Sequence, residues 1–595
     1  MADAASEDRS KRLSARLRSW IPILAWLPNY ERGDLRSDLS AGLTTALMLI
    51  PQAMAYAMLA GLPPIHGLYA ATLPLLAYAV FGSSRQLAVG PVAVDSLLVA
   101  VGVGAIATAG TDAYLAYAVL LAAMVGVLQI GLGLARAGFL VNFLSRPVIS
   151  GFTSAVAIVI ALSQLEHLLG VDIERSNDVH EILIRAAGQI AETSLPTLAI
   201  GLSSVAMLLL LTKVSPAIPR GLIVVVLGTV VVWLADLDAL GVAVVGSIPR
   251  GLPRPAWPEF DLDAIRTLLP SALALALVSF VEAISVAKAV DGSGVKPAAD
   301  GRKSKIVPNR EFIGLGAANL LGSVVRGFPV AGGFSRTAVN AQAGARTGLA
   351  GIVTSAVVIV TLLLLTPLVY YLPRAVLAAI IMTAVLGLID VKMVRRLWAI
   401  ERSELAILVL TFVATLTLGV IQGIGAGVIV SMAWFVIRQT RPHMAVLGKL
   451  PGTTVYRNLA RYPEAEPPIG ILVVRFDAQF YFGNVDFLER TLATLIEAAC
   501  DRGEAQTQTQ TQAIVIDASA INRLDSSADA ALQELEGSFR ARGIRLYFAS
   551  VKGPVRDMMR RTGLRERLGE GRFWLTVDDA VLAAEHRLGP GAGHQ

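Results

Sequence analysis

Three charged side chains stand in otherwise apolar sequence: Arg336 in GFPVAGGFSRTAVN (residues 327–340), Glu282 in LVSFVEAISVAKA (277–289) and Asp95 in LAVGPVAVDSLLVA (87–100). A charge at bilayer depth costs about 2.5 to 3.5 kcal/mol on insertion scales and is retained where it faces a cavity or a partner. Arg336 therefore marks a polar site, with Ser335, Thr337 and Asn340 close by. GFPVAGG cannot run as continuous helix through Pro329 and Gly332-Gly333, so a new helix should begin near Phe334. Its free backbone N–H groups, its positive dipole end and Arg336 would converge on one point, and such a point attracts an anion. Gly90-Pro91 interrupts the apolar pattern in the same way just before another helix. Two broken helices in corresponding places of two halves are the mark of an inverted-repeat transporter with its substrate at the midplane. The plain alternative is that Gly and Pro let membrane helices pack closely.

Glu282 offers different chemistry. Desolvation in an apolar span favours the neutral form of a carboxyl group, which could then load and release a proton near neutral pH. That suits proton symport; the other reading is that Glu282 only neutralises Arg336. Asp95 falls in the first turn of its helix, where the dipole alone favours a carboxylate, so a part in coupling and a purely local role both stay open. Lys288 and Arg326 fall near membrane ends, where snorkelling explains them. His66 reads as a packed or surface histidine.

These residues need a membrane scaffold, and the composition supplies one. The chain has 595 residues, 54% hydrophobic and 16% charged, with a mean hydropathy of +0.63, far above a soluble domain. Apolar runs near 40–59, 67–82, 90–109, 114–134, 146–168, 195–212 and 219–235 are followed by 267–289, 310–325, 332–345, 347–368, 373–390, 404–420 and 421–438, giving fourteen expected segments in two groups of seven. The first twenty residues carry five of the chain's basic side chains, Arg9, Lys11, Arg12, Arg16 and Arg18, without a cleavage signal, so this tail is expected in the cytoplasm, and an even number of spans returns the C-terminus there. One cysteine, Cys500, and six scattered histidines give no disulfide framework and no zinc spacing, so no metal or other cofactor is expected. The net charge of +6 is explained by such cytoplasmic arginines, and no aromatic-interleaved basic patch points to nucleic acid.

After RPHMAVLGKLPGTTVYRNLARYPEAEPP the composition becomes that of a small α/β domain. IGILVVRFDAQFYFGN reads as two short strands and a turn before a helix from Val485. AIVIDAS and IRLYFAS are further strands, with a helix over 526–542 between them and a basic helix from Pro554. QTQTQTQ, residues 506–512, reads as a surface loop. The expected organisation is an N-terminal segment (1–38), a transport domain (39–440), a linker (441–468), the α/β domain (469–585) and a tail (586–595).

LIPQAMAYAMLAGLPPIHGLYAA, AVGPVAV, GFPVAGGFSRTAVNAQAGARTGLAGI and YYLPRAVLAAII, followed by that α/β domain, closely resemble the sulfate permease family of anion transporters over about residues 30–580. The resemblance implies an α-helical polytopic fold of fourteen segments in two inverted repeats with two half-helices. It divides them into a core domain (segments 1–4 and 8–11) and a gate domain (5–7 and 12–14), with a cytoplasmic STAS domain. It also implies a homodimer in the cell membrane, alternating access by movement of core against gate, and an anion pocket at Gln52, Tyr56, Val92, Ser335 and Arg336. Gln52 and the Ser335 hydroxyl can donate hydrogen bonds, Tyr56 can present a ring edge, and backbone N–H groups cap the oxyanion. Many relatives carry phenylalanine at Val92, so the valine either leaves room for a larger or more hydrated anion or simply packs. An acidic residue at Glu282 couples transport to cations in the family, glutamate being typical of proton-coupled sulfate carriers and aspartate of sodium-coupled bicarbonate carriers. NRLDSSADAALQEL resembles the bacterial anti-sigma-factor antagonists, which makes Ser526 a regulatory phosphorylation candidate; a helix-capping serine is the simpler reading, and the domain's wider expected roles are dimerisation and partner binding.

The leading expectation is thus secondary transport of sulfate with protons. Sodium-coupled bicarbonate or dicarboxylate transport and anion exchange are the alternatives on the same fold. A channel or motor would need no coupling carboxylate, and a membrane enzyme would need a nucleophile, base and orienter that the spans lack.

Overall fold

The computed structural model describes residues 21–142, 145–173, 179–214, 220–247, 249–258, 260–291, 306–501 and 511–588. The basic tail 1–20, residues 506–510 of the QTQTQTQ loop and the last residues 589–595 lie outside them. The chain divides into two compact units, Met1–Ser431 and Met432–Gln595.

The first unit is helical. In chain order it contains α1 (Arg32–Leu59), α2 (Pro64–Tyr69), α3 (Leu73–Phe81), β1 (Val89–Gly90), α4 (Ala93–Gly104), α5 (Asp112–Leu134), α6 (Arg146–Ser163), α7 (Leu165–Leu169), α8 (Val179–Gly188), α9 (Leu195–Val214) and α10 (Arg220–Leu234). The second half contributes α11 (Leu262–Asp291), α12 (Pro308–Val324), β2 (Ala331–Gly332), α13 (Phe334–Gln342), α14 (Leu349–Val360), α15 (Arg374–Leu386), α16 (Val391–Ile400), α17 (Arg402–Thr417) and α18 (Val420–Thr440). Among the described residues, nine helices are long and apolar enough to cross a membrane. α5 packs on α12 and α11, and α1 on α14; α6 packs on α17 and α15, and α9 on α15.

Several expected spans are interrupted, each for a local reason. The run at 67–82 breaks between α2 and α3, where Pro74 cannot donate and Thr72 Oγ1 bonds the Tyr69 carbonyl at 2.7 Å. The run at 347–368 is α-helical to Val360, then takes a π turn and a 3₁₀ turn around Pro367. The run at 373–390 is followed by a separate helix, α16, capped by the Asp390 carboxylate on Met393 N at 2.9 Å. At Arg32, α1 opens earlier than the expected boundary at 38, and α8 lies in a stretch where no helix was expected.

The second unit is a six-stranded sheet of order β4-β3-β5-β6-β7-β8, formed by β3 (Met444–Lys449), β4 (Tyr456–Asn458), β5 (Ile471–Phe476), β6 (Ala513–Asp517), β7 (Arg545–Ala549) and β8 (Phe573–Trp574). β5 to β8 run parallel, linked by the helices α19 (Val485–Asp501), α20 (Ser526–Ala541), α21 (Gly553–Arg561) and α22 (Leu564–Leu568); α23 (Val577–Leu588) closes the chain. Alternate residues serve two cores. Leu472, Val474, Ile514, Ile516, Leu546 and Phe548 pack with α19 and α20, while Val473, Val515 and Tyr547 face α23. Burial on both faces is why these strands read as continuous apolar runs.

Two expectations change here. The stretch 441–468, expected as a linker, holds β3 and β4, which pair antiparallel and extend the sheet. The second strand expected in DAQFYFGN is a 3₁₀ turn at Phe482–Asn484. Phe476 and Phe480 both enter the core with rings 5.5 Å apart, and Asn484 accepts from Tyr481 N at 3.0 Å, closing the chain into a turn. Asp525, not Ser526, is the cap of α20: its Oδ1 accepts from Ala528 N at 2.8 Å and its Oδ2 from Phe482 N at 3.0 Å. Asp525→Ala should therefore destabilise that corner by about 1 to 2 kcal/mol. Hydrogen exchange in the full-length protein checks this, with faster exchange expected in the first turn of α20 and at 480–484.

Candidate anion site

Two short helices meet head to head in the first unit. α4 has twelve residues and α13 nine, so each reaches only about half-way through a hydrocarbon core of roughly 30 Å. Their N-terminal approaches pair antiparallel, Val89 opposite Gly332 and Gly90 opposite Ala331, and Gly333 N donates to the Ala88 carbonyl at 3.1 Å. The residues preceding them, Val92 and Gly333, supply no side-chain cap. The first-turn N–H groups of both helices thus keep their capacity to bind an anion.

Arg336 is 1% exposed and leans across this junction. Its Nη1 donates to the Pro91 carbonyl at 2.7 Å, tying one half-helix to the other. Nε and Nη2 are buried without a partner, and unpaired buried donors of a cation are costly unless a ligand takes them. Two glycines leave it room. A Cβ at Gly333 would stand 2.7 Å from Arg336 Cζ and Nη2, and Gly90, at φ +155°, would bring a Cβ within 3.4 Å of Nη2. Gly333→Ala should therefore push the guanidinium off the junction, and anion binding should weaken by about ten- to a hundredfold with the melting temperature little changed. Equilibrium binding of labelled sulfate, beside a thermal melt, checks both halves of that statement.

The expected residues assemble unevenly around this point. Leu49 of α1 reaches Gly90, and Gln52 and Tyr56 follow on the same helical face; both are buried, with Gln52 Oε1 unpartnered. Tyr56 lies within electrostatic reach of Arg336 and Glu282. Val92 is buried as the residue opening α4. Ser335 is exposed beside exposed Phe334, at the outer side of the α13 first turn, unlike enclosed Arg336. Glu282 is half-buried, its Oε2 enclosed and unpartnered, within electrostatic reach of Arg336. It makes no hydrogen bond to the guanidinium, whose bonded nitrogen goes to Pro91. Asp95 is fully buried with both carboxylate oxygens unpartnered. His66 is packed, its Nδ1 2.8 Å from the Arg326 carbonyl, and Lys288 and Arg326 are exposed.

What holds the half-helices in place came largely from residues that the sequence reading passed over. Asn319 of α12 brackets Val330, accepting from its N–H at 2.7 Å and donating to its carbonyl at 3.1 Å. The same amide donates to Gln129 of α5 at 3.0 Å, and Gln129 reaches Ser279 of α11 at 2.9 Å. Thr337 Oγ1 accepts from Ala88 N at 3.0 Å, and Asn340 donates to the Gln86 carbonyl at 2.8 Å. Buried Glu311 accepts from Tyr78 Oη at 2.6 Å, from Ser83 N at 2.8 Å and from Ser84 N at 3.0 Å, anchoring the approach to β1. Beyond α13, Asp38 accepts from Arg346 N, Thr347 N and Thr347 Oγ1 at 2.7, 3.1 and 2.6 Å, while Asp34 pairs with Arg346 at 2.9 Å.

A sequence model described as the sulfate permease family matches residues 35–411. The chain belongs to the sulfate permease family. A STAS domain model matches residues 462–580 of the permease, so the second unit is its STAS domain, reaching back into the stretch expected as a linker. The permease is similar to sulfate transporter 4.1, chloroplastic, of Arabidopsis thaliana, at 38% identity over 581 residues, covering 95% of this chain and 83% of that protein. It is similar also to a probable sulfate transporter of Mycobacterium tuberculosis, at 35% identity over 568 residues, covering 96% of this chain and 98% of the relative. Among solved structures, the overall structure of SLC26A9 superposes with a TM-score of 0.86 at 25% identity, covering 98% of this chain and 96% of that one. The permease is thus a helical membrane protein with a C-terminal STAS domain, and its family and named relatives are transporters, not enzymes.

Proposed function

We propose that this permease carries sulfate across the membrane together with protons, by alternating access of an elevator type. The observation that carries the reading is the buried Arg336 guanidinium, bonded on one nitrogen to Pro91 and bare on two others, between two uncapped helix N-termini. Such a site suits a tetrahedral dianion with several acceptor oxygens. The names of its relatives support sulfate as that dianion. Gln52 and Tyr56 line the α1 side, Val92 the α4 side, and Ser335 meets the anion at the mouth. Glu282 is the proton carrier, close enough to Arg336 for its charge to oppose anion binding when ionised and to relax that opposition when protonated.

In this reading the two half-helices with α1, α2, α3, α5, α11, α12 and α14 form the moving core, with α6, α9, α10, α15, α17 and α18 in the gate. The protein is a homodimer of the cell membrane with both termini in the cytoplasm. Ser526, exposed at the first turn of α20, is a phosphorylation site at which a phosphate would meet helix N–H groups. The STAS domain serves dimerisation and cytoplasmic partners.

The test is labelled-sulfate uptake into proteoliposomes holding the purified protein, with and without an inward proton gradient and with and without sodium. Stimulation by the proton gradient and indifference to sodium is the expected result; no sulfate uptake from inserted, folded protein sinks the substrate. A second reading, sodium-coupled transport of bicarbonate or a dicarboxylate, draws on the bare oxygens of Asp95 and Glu282, which could hold a cation instead of protons. Sodium dependence with indifference to protons selects it.

A further inference from the structure

Asp95 has no use in the mechanism above, and its surroundings are unusual. It is fully buried, and neither carboxylate oxygen has a donor among the described residues. It stands in the first turn of α4, and the charged group within electrostatic reach of it is Glu282 on α11. Among the described residues, the other helices against α4 offer no counter-charge at this depth. On α1 the nearby titratable group is Tyr56, while Arg32, Asp34, Arg36 and Asp38 sit at its distant first turns, Asp34 and Asp38 being engaged with Arg346 and Thr347. α5 brings Asp112 only at its first residue, with Tyr114 bonded to the Ala60 carbonyl and Tyr117; α6 brings Arg146 only at its first residue. Against α11, α12 presents Arg310 and Glu311 in its first turn, Glu311 being held by Tyr78, Ser83 and Ser84, and α13 presents Arg336.

We infer that Asp95 is a second proton-carrying residue, forming with Glu282 a carboxyl pair that takes up two protons for each sulfate bound. The inference rests on the proton-coupled sulfate reading and deepens it. A fully buried carboxylate and a half-buried one within electrostatic reach of it, with a single arginine within reach of the second, are not both charged while a dianion occupies the site. The charges balance at one loading. Arg336 contributes one positive charge and the two helix N-termini about half a charge each, which together match sulfate only when both carboxyls are neutral. Two protons and one sulfate dianion then enter and leave as an electroneutral set, each proton held on a carboxyl oxygen that has no other partner in the empty site.

The experiment measures the sulfate gradient that proteoliposomes sustain at a fixed pH difference, with the membrane potential clamped by potassium and valinomycin at several values. The wild type is expected to sustain about a hundredfold gradient per pH unit, as two protons require, with no dependence on potential. Asp95→Asn is expected to fall to about tenfold per pH unit and to become potential-dependent, because one proton now accompanies two negative charges. Asp95→Glu, which keeps the carboxyl, should restore the wild-type behaviour. A wild-type gradient of tenfold per pH unit overturns the inference without any variant, as does an Asp95→Asn protein that keeps the hundredfold gradient. Loss of all proton-driven accumulation in the wild type overturns the underlying reading instead, and sodium-driven accumulation in its place assigns the pair to a metal cation.

Discussion

Arg336→Ala should abolish sulfate binding while leaving the protein folded. The guanidinium supplies the only full positive charge seen at the junction among the described residues, and removing one partner of a buried, hydrogen-bonded charge pair costs about 2 to 5 kcal/mol, or roughly thirty- to several-thousandfold in affinity. Stability should move the other way or not at all. A buried cation with two unpartnered nitrogens is a burden in the empty protein, so the melting temperature without sulfate should hold or rise. Arg336→Lys is not a gentle version of this change. It keeps the charge but loses the planar fork that reaches Pro91 and still presents two donors to a ligand, and affinity should remain at least about tenfold down. Melting curves with and without sulfate read both quantities together. Undiminished stabilisation of Arg336→Ala by sulfate would place the anion elsewhere.

Glu282→Gln should remove part of the permease's proton coupling without stopping transport. Glutamine imitates the protonated carboxyl, so sulfate binding at alkaline pH should rise to the level the wild type reaches in acid, and the pH dependence of binding should flatten. The sign follows from the charge: an ionised Glu282 opposes the anion, its neutral form does not, and the wild type therefore binds better as pH falls. Sulfate exchange across the membrane should persist, whereas accumulation driven by a proton gradient should drop from about a hundredfold per pH unit to about tenfold, the level that one remaining proton on Asp95 supports. Exchange and accumulation measured on one preparation separate the two outcomes. Proton-driven accumulation left intact would return Glu282 to a purely electrostatic role beside Arg336.

The elements that carry these expectations were unequally legible in the sequence. Arg336 and both helix breaks were readable because a charge in an apolar run and a Gly-Pro or Pro-x-x-Gly-Gly interruption are local signals. The bracket of Asn319 on Val330, the Gln129 bridge, the Glu311 anchor and the Asp38 clamp were not. Their partners lie up to 309 residues away, and no periodicity connects positions joined only by the fold. A polar residue inside an apolar run, such as the glutamine of GVLQIGLG or the asparagine of GAANLLG, was the available hint. Ser335 illustrates the reverse. Its neighbour Arg336 turns inward while Ser335 faces out, because adjacent positions on a helix diverge by about 100°. In the STAS domain the serine-rich helix start suggested a cap, but the aspartate one residue earlier had already taken that place.

The β1·β2 ladder joins the approaches to the two half-helices by backbone pairing, Val89 with Gly332 and Gly90 with Ala331. The angle and distance between the two half-helices are set by this pairing together with the Asn319, Thr337, Asn340 and Glu311 bonds around it, while in the proposed site the surface that an anion meets is set by Gln52, Tyr56, Val92 and Ser335. Frame and lining are made of different atoms. A substitution at Val92 can reshape the space for cargo without disturbing the geometry of the dipoles that hold it, whereas a bulky residue at Gly90 or Gly333 spoils the site for every anion alike. In the proposed site, selectivity and affinity for negative charge are accordingly separable, which makes the lining, and not the frame, the place to retune the permease for a new oxyanion.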